Sequence, residues 1–227
     1  MREYRYQFNR LIYTLVVITA LLVGAIGQPV AVAAEVWADN GMVAAAHPLA
    51  SQIGVDILKA GGNAVDAAVA TAFAIGILEP HASGIGGCGV GVIYLADEDR
   101  SVSVDFRAGA PRIAAELVEA GQLRSMPSVG WRAAAVPGLV AGLSTMLEKF
   151  GTMSLAEVLA PSIQLAEEGF ALSPTVARQI EDQYDVVLGD PGLSEVYLDE
   201  YLLPPYAGDI IKNPDYAKSL RMIAEGG

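Results

Sequence analysis

Gly61-Gly62-Asn63-Ala64-Val65-Asp66-Ala67-Ala68-Val69-Ala70-Thr71-Ala72-Phe73-Ala74-Ile75-Gly76-Ile77-Leu78 is the stretch whose reading sets the fold. The Gly61-Gly62 pair stops a preceding helix, because glycine enters the left-handed region without a Cβ penalty. Asn63 then suits an N-cap, and residues 64–78 are predicted to form a helix. That helix is apolar nearly all round, with Asp66 its only charge. At 15 residues it is too short to span a bilayer. It is therefore expected to be buried in a core.

Working outward, residues 42–46 form a short apolar run that reads as a strand. Pro48 suits a helical first turn, and Leu49, Ile53 and Ile57 recur every four residues with Leu58 alongside. On the other side, Pro80 ends the buried helix and residues 83–91 are glycine-rich. Residues 90–95 and 102–106 read as two strands of a hairpin, joined by the polar turn Asp97-Glu98-Asp99-Arg100. Helices dominate the remainder. Pro137-Gly138 opens one that runs to Phe150, and Ser154-Leu155-Ala156-Glu157 is a capping box before a helix through Glu168. Pro174 begins another, to about Gln183, and residues 189–209 read as a loop rich in Pro, Gly, Asp and Tyr. Asn213-Pro214 is a cap and first turn, and Gly226-Gly227 a stop. A buried helix and a hairpin followed by helices alone predict a layered α/β fold lacking some of its strands.

The 227 residues are 53% hydrophobic, which excludes wholesale disorder. Lys and Arg number 14 against 26 Asp and Glu, a net charge of −12, so the basic footprint of a nucleic-acid binder is missing. One cysteine allows no internal disulfide, and His47, His81 and Cys88 make a poor zinc set. No metal and no cofactor are expected. Part of the high mean hydropathy, +0.40, comes from the N-terminus. Arg2, Arg5 and Arg10 precede 16 uncharged residues, 11–26, and then Gly27-Gln28-Pro29. Ala31-Val32-Ala33 supplies small residues at the −3 and −1 spacing. Residues 1–34 thus read as a secretory signal peptide, with an uncleaved anchor as the alternative. The expected location is secreted or periplasmic, with no membrane attachment after cleavage.

Several residues invite a chemical reading. Gly84-Ile85-Gly86-Gly87-Cys88-Gly89 matches G-x-G-x-x-G, but a dinucleotide site needs a strand before it and a helix after it, and here the order is reversed. A tight close-packed turn and a backbone shelf lining a pocket are the other two readings. Arg107 ends the second strand of the hairpin within Asp105-Phe106-Arg107. Its guanidinium suits a substrate carboxylate, since it can give two parallel hydrogen bonds; a salt bridge to Asp105 or another acid explains it equally. His81 and His47 read as loop and helix-start residues, with no acid or nucleophile spaced to help them. Cys88 has nothing basic near it in sequence and reads as an inert buried thiol. Asp182, Asp185, Asp190, Glu195 and Asp199 lack EF-hand spacing and read as a solvated acidic face.

Six groups of residues then occur in order. They are His47-Pro48-Leu49-Ala50-Ser51; Gly61-Gly62-Asn63-Ala64-Val65-Asp66-Ala67-Ala68; Glu79-Pro80-His81 with Ser83-Gly84-Ile85-Gly86-Gly87; Asp105-Phe106-Arg107 with Ala110-Pro111; Val136-Pro137-Gly138; and Leu159-Ala160-Pro161 with Ala166-Glu167-Glu168-Gly169. Together, over about residues 40–227, they resemble the N-terminal part of the γ-glutamyltransferase (γ-glutamyltranspeptidase) family.

That resemblance implies an α+β fold, the N-terminal-nucleophile hydrolase αββα sandwich, here incomplete. Residues 35–227 would be the N-terminal part of a large subunit, truncated. The resemblance further implies a precursor that cuts itself, and an N-terminal Thr of the small subunit as nucleophile. That residue would attack γ-glutamyl amides such as glutathione, its own amine serving as base. The partners implied are the small subunit from the same precursor and a γ-glutamyl small molecule. Arg107 matches the family arginine that holds the substrate α-carboxylate. No Thr in this chain sits in the processing motif, so no catalytic residue is expected here and the segment alone should be inactive. The family commonly has an acid directly after the arginine, where this chain has Ala108-Gly109. Related amidases, such as cephalosporin or oxamate acylases, share most of these motifs. A non-catalytic carboxylate-binding remnant is the third reading.

Overall fold

The computed structural model describes residues 13, 14, 16, 19, 35–122, 130 and 133–226. The expected signal segment 1–34 thus lies outside the described residues except for positions 13, 14, 16 and 19, which are helical. The chain divides into two units, Met1–Asp39 and Asn40–Gly227, and all that follows concerns the second.

Helix α1, Pro48–Lys59, starts from His47, whose Nδ1 accepts the Leu49 N–H at 3.2 Å. Helix α2, Ala64–Leu78, is the centre of the core. Val69, Ala70, Phe73, Ala74 and Leu78 are almost completely buried. The helix starts on a reciprocal capping box. Asn63 Oδ1 accepts from the N–H groups of Val65 and Asp66, and Asp66 accepts the Asn63 N–H at 2.7 Å. Its many alanines and Gly76 let neighbours approach closely. Gly76 leaves room for the glycine loop, since a Cβ there would stand 2.9 Å from the Gly84 Cα.

Strands β1, Gly89–Leu95, and β2, Arg100–Phe106, form an antiparallel hairpin in the register Gly89↔Phe106 to Leu95↔Arg100. Its turn is a short 3₁₀ segment, Ala96–Glu98, closed by Asp99 in the left-handed region at φ 47°. The hairpin lies one residue wider on β1 and two on β2 than the sequence predicts. One face carries Ile93, Val104 and Phe106 toward the core. The other face bears Val90, Val92 and Tyr94, which are 55%, 75% and 62% exposed. An ordinary half-buried hairpin turns polar residues outward, so this apolar face is unlike a solvent face.

Further along come α3, Arg112–Glu119, α4, Leu139–Phe150, and α5, Leu155–Glu168. The last begins on the expected Ser154–Glu157 capping box. Strand β3, Phe170–Ala171, precedes α6, Pro174–Asp182, α7, Tyr184–Gly189, and α8, Pro191–Tyr197. Strand β4, Ile210–Ile211, pairs antiparallel with β3, and α9, Pro214–Gly226, ends the described chain. Helices α1, α4 and α5 pack around α2, α9 packs on α5, and α4 lies against β2.

Two expectations are corrected. Residues 42–46 form no strand among the described residues. Burial still alternates along them, with Val43 and Ala45 turned inward, but the Ala45 N–H is satisfied by Ser51 Oγ at 3.0 Å and no strand among the described residues pairs with this run. Residues 189–209 are not all loop: Asp190 accepts the Leu193 N–H at 3.0 Å and Pro191 occupies the first turn, which together start α8. Proline and aspartate read as loop formers also make a good helix start.

Candidate functional site around Arg107

Phe106, the last residue of β2, anchors the site. Its ring fills space that two glycines leave open. A Cβ on Gly89 would stand 2.7 Å from Phe106 Cε2, and one on Gly142 of α4 would overlap the ring outright. Gly138, just before α4, passes against the Phe106 carbonyl in the same way. Beyond Arg107 the chain is pinned again. Gly109 and Val136 exchange two backbone hydrogen bonds, at 3.2 and 2.9 Å. Arg107 therefore leaves a strand end that is fixed on both sides.

The glycine loop supports the same corner from behind. The Gly87 N–H donates to the Gly84 carbonyl at 2.8 Å, closing a tight turn. The Gly87 carbonyl in turn accepts from Gly138 and Leu139 at the start of α4, at 3.2 and 3.1 Å. From α9, Tyr216 Oη accepts the Ile85 N–H at 3.1 Å. Burial pushes the Tyr216 hydroxyl above its ordinary pKa, and that of its neighbour Tyr197 up to about 12. Both phenols are neutral at physiological pH. The loop is the tight close-packed turn of the sequence reading, entered from a helix and leading into a strand, and Gly84, Ile85 and Gly86 also line a cavity beside Tyr197 and Tyr216, as the shelf reading has it.

Arg107 itself is 72% exposed. Its guanidinium is held along one edge by Asp105: Nε donates to Oδ1 at 3.0 Å and to Oδ2 at 3.2 Å, and Nη2 donates to Oδ2 at 2.7 Å. Asp105 Oδ1 also accepts the Arg107 backbone N–H at 3.0 Å. These hydrogen bonds, together with the guanidinium charge, hold the Asp105 carboxyl down at about 2. The same pairing raises the Arg107 pKa further. The Nη1 end of the guanidinium has no partner among the described residues. The alternative raised for Arg107 from sequence, a salt bridge to Asp105, is thus present, and it leaves one guanidinium edge open.

Cys88 corrects a third expectation. It is exposed, not buried, and lies one step beyond the Gly89–Phe106 pair at the open end of the hairpin. There its charge, when ionised, acts on Arg107. The basic neighbour missing from the local sequence comes from the opposite strand. His81 Nε2 lies 3.7 Å from Glu79 Oε2. His47 is occupied as a helix cap. In the acidic group, Asp190 caps α8 and Asp199 accepts the N–H groups of Tyr201 and Leu203, each at 2.8 Å. Among the described residues no three His, Cys, Asp or Glu side chains gather to hold a metal. The hydroxyls of Thr71 and Thr145 donate to carbonyls within their own helices, and that of Thr152 donates to Asp66.

Residues 50–227 match the family model of Gamma-glutamyltranspeptidase. The chain is 43% identical over 198 residues to the Acylase ACY 1 proenzyme of Pseudomonas sp. (strain SE83), covering 83% of this chain and 35% of that protein. It is 40% identical over 193 residues to the Glutathione hydrolase proenzyme of Bacillus subtilis (strain 168), covering 83% of this chain and 32% of that protein. Among solved structures, that of Helicobacter pylori gamma-glutamyltranspeptidase superposes with a TM-score of 0.78 at 36% identity, over 85% of this chain and 56% of that one. The mixed helix-and-strand fold is thus part of the N-terminal-nucleophile hydrolase architecture. Within that class, the chain belongs to the γ-glutamyltranspeptidase family. It spans about a third of the length of the curated relatives it matches. No helix among the described residues is long and apolar enough to cross a membrane.

Proposed function

We propose that this chain is the N-terminal part of the large subunit of a self-processing γ-glutamyltransferase or glutathione hydrolase, and that Arg107 binds the α-carboxylate of the γ-glutamyl group. The observation that carries the reading is the open guanidinium edge at a rigid strand end, inside the matched region. A fixed guanidinium gives a planar carboxylate two parallel charge-assisted hydrogen bonds. The nucleophile belongs to the small subunit cut from the same precursor, whose N-terminal Thr takes the acyl group and passes it to water or an amino acid. The apolar face of Val90, Val92 and Tyr94 suits a second sheet stacked about 10 Å away. The arginines, apolar run and small-residue box of residues 1–34 support export as a secreted or periplasmic protein.

The test is Arg107→Lys in the complete precursor, assayed on a γ-glutamyl anilide. Lysine keeps the charge but offers no fork, so KM rises with little change in kcat; an unchanged KM refutes the clamp. A second reading, a related acylase, is favoured by the 43% identity to the Acylase ACY 1 proenzyme and by Ala108 directly after Arg107. That reading predicts hydrolysis of other acyl amides and negligible release from γ-glutamyl anilide.

A further inference from the structure

We propose that Asp105 is a positioning residue that presents the Nη1–Nη2 edge of Arg107 to the substrate carboxylate. The inference rests on the reading of Arg107 as the carboxylate clamp. A guanidinium has two edges that can meet a carboxylate in bidentate fashion. Asp105 occupies the Nε–Nη2 edge with bonds of 3.0, 3.2 and 2.7 Å. The substrate is left the end-on edge, formed by Nη1 and the second N–H of Nη2.

Asp105 is itself held. Its Oδ1 accepts the Arg107 backbone N–H at 3.0 Å, so carboxylate, backbone and guanidinium form one closed unit at the end of β2. The residue sits opposite Val90 in the hairpin register, and the strand end is braced by Phe106 against Gly142. An arginine side chain that is free before binding loses rotamer freedom when it clamps a ligand, and this closed unit has lost part of that freedom already. The carboxylate stays ionised at every physiological pH, since the adjoining guanidinium holds it near 2. The sequence suggested Asp105 only as a competitor for Arg107. The bond pattern divides the guanidinium between them, one edge to each carboxylate.

The experiment compares Asp105→Ala, Asp105→Asn and Arg107→Ala in the complete precursor, after a denaturing gel has confirmed subunit formation. Two donors are used: a γ-glutamyl anilide and the matching anilide without the α-carboxylate. Asp105→Ala is expected to raise KM for the first donor roughly three- to tenfold, with kcat within about twofold, and to leave the second donor unchanged. Asp105→Asn keeps an acceptor for the Arg107 N–H but loses the ionic pair, so its KM falls between. It also stands in where Asp105→Ala does not mature. Equal effects on both donors would make the role purely structural and overturn the proposal. A lower KM in either Asp105 variant would make Asp105 a competitor and overturn it too. A raised KM in Arg107→Ala beside an unchanged one in both Asp105 variants defeats the positioning role alone, whereas an unchanged KM in Arg107→Ala defeats the clamp reading beneath it.

Discussion

Replacing Asp66 by alanine should be the most damaging single polar change in the described fold. Asp66 is completely buried near the start of α2. It accepts four hydrogen bonds: from Asn63 N at 2.7 Å, Thr152 N at 2.9 Å, Thr152 Oγ1 at 2.6 Å and Met153 N at 3.1 Å. The N–H groups of Asn63 and Met153 belong to half-buried residues and are left poorly solvated, whereas Thr152 is exposed and regains water. Counting the two stranded N–H groups and the lost bonds to a charged acceptor gives a destabilisation of about 3–4 kcal/mol. With a urea m-value of about 2 kcal/mol/M, the unfolding midpoint should fall by roughly 1.5–2 M.

The pH dependence supplies an independent check. Burial opposes ionisation of Asp66, but the bonds from the Thr152 side chain and from the N–H groups of Asn63, Thr152 and Met153 outweigh it and hold the carboxyl below its ordinary value of 3.8. A group whose pKa is depressed on folding stabilises the fold above its unfolded value, and that contribution disappears as pH falls through the folded value. The stability gap between the parent and Asp66→Asn should therefore be full at neutral pH and close only in acid below 3.8. Urea unfolding followed by far-ultraviolet circular dichroism measures both. A midpoint shift below about 0.3 M, or a gap that stays constant into strong acid, would refute the reasoning.

Two further outcomes follow from the corner at Arg107. Gly142→Ala forces a Cβ into the Phe106 ring, so it should cost about 1–3 kcal/mol by overpacking, as read by thermal melting, and under the proposed function it should raise KM in the anilide assay. An NMR titration should find the Asp105 carboxyl at about 2, and Arg107→Gln should return it toward 3.8.

Much of the scaffold was legible because its signals are local. The Asn63–Asp66 and Ser154–Glu157 boxes each span four consecutive residues, and each starts its helix where the sequence predicts. The hairpin was legible from alternation and a polar turn. What escaped depends on distant residues. Asp66 reads locally as the lone charge of a buried helix, and only the fold brings Thr152 and Met153 onto it, 86 and 87 positions away. Cys88 reads as isolated from charge because Arg107 reaches it across the hairpin, not along the chain. Residues 42–46 have the alternating burial of a strand, with no partner among the described residues to make one. At Arg107, side-chain chemistry alone offered a clamp and a salt bridge as rivals. The bond pattern puts the salt bridge on one edge of the guanidinium and leaves the other edge open for the proposed clamp.

The bond from Ile85 to Tyr216 spans 131 positions. A ribosome adding about 5–20 residues per second needs roughly 7–26 s to travel from one to the other. For that interval the glycine loop exists without its latch, and the hairpin it leads into emerges before α9 can hold that loop. Val90, Val92 and Tyr94 are then presented on a freshly made strand with open edges, the kind of surface on which nascent chains associate. The order of synthesis therefore leaves this corner unlatched well after its own strands are made, and slowing translation between codons 85 and 216 should lower the soluble yield.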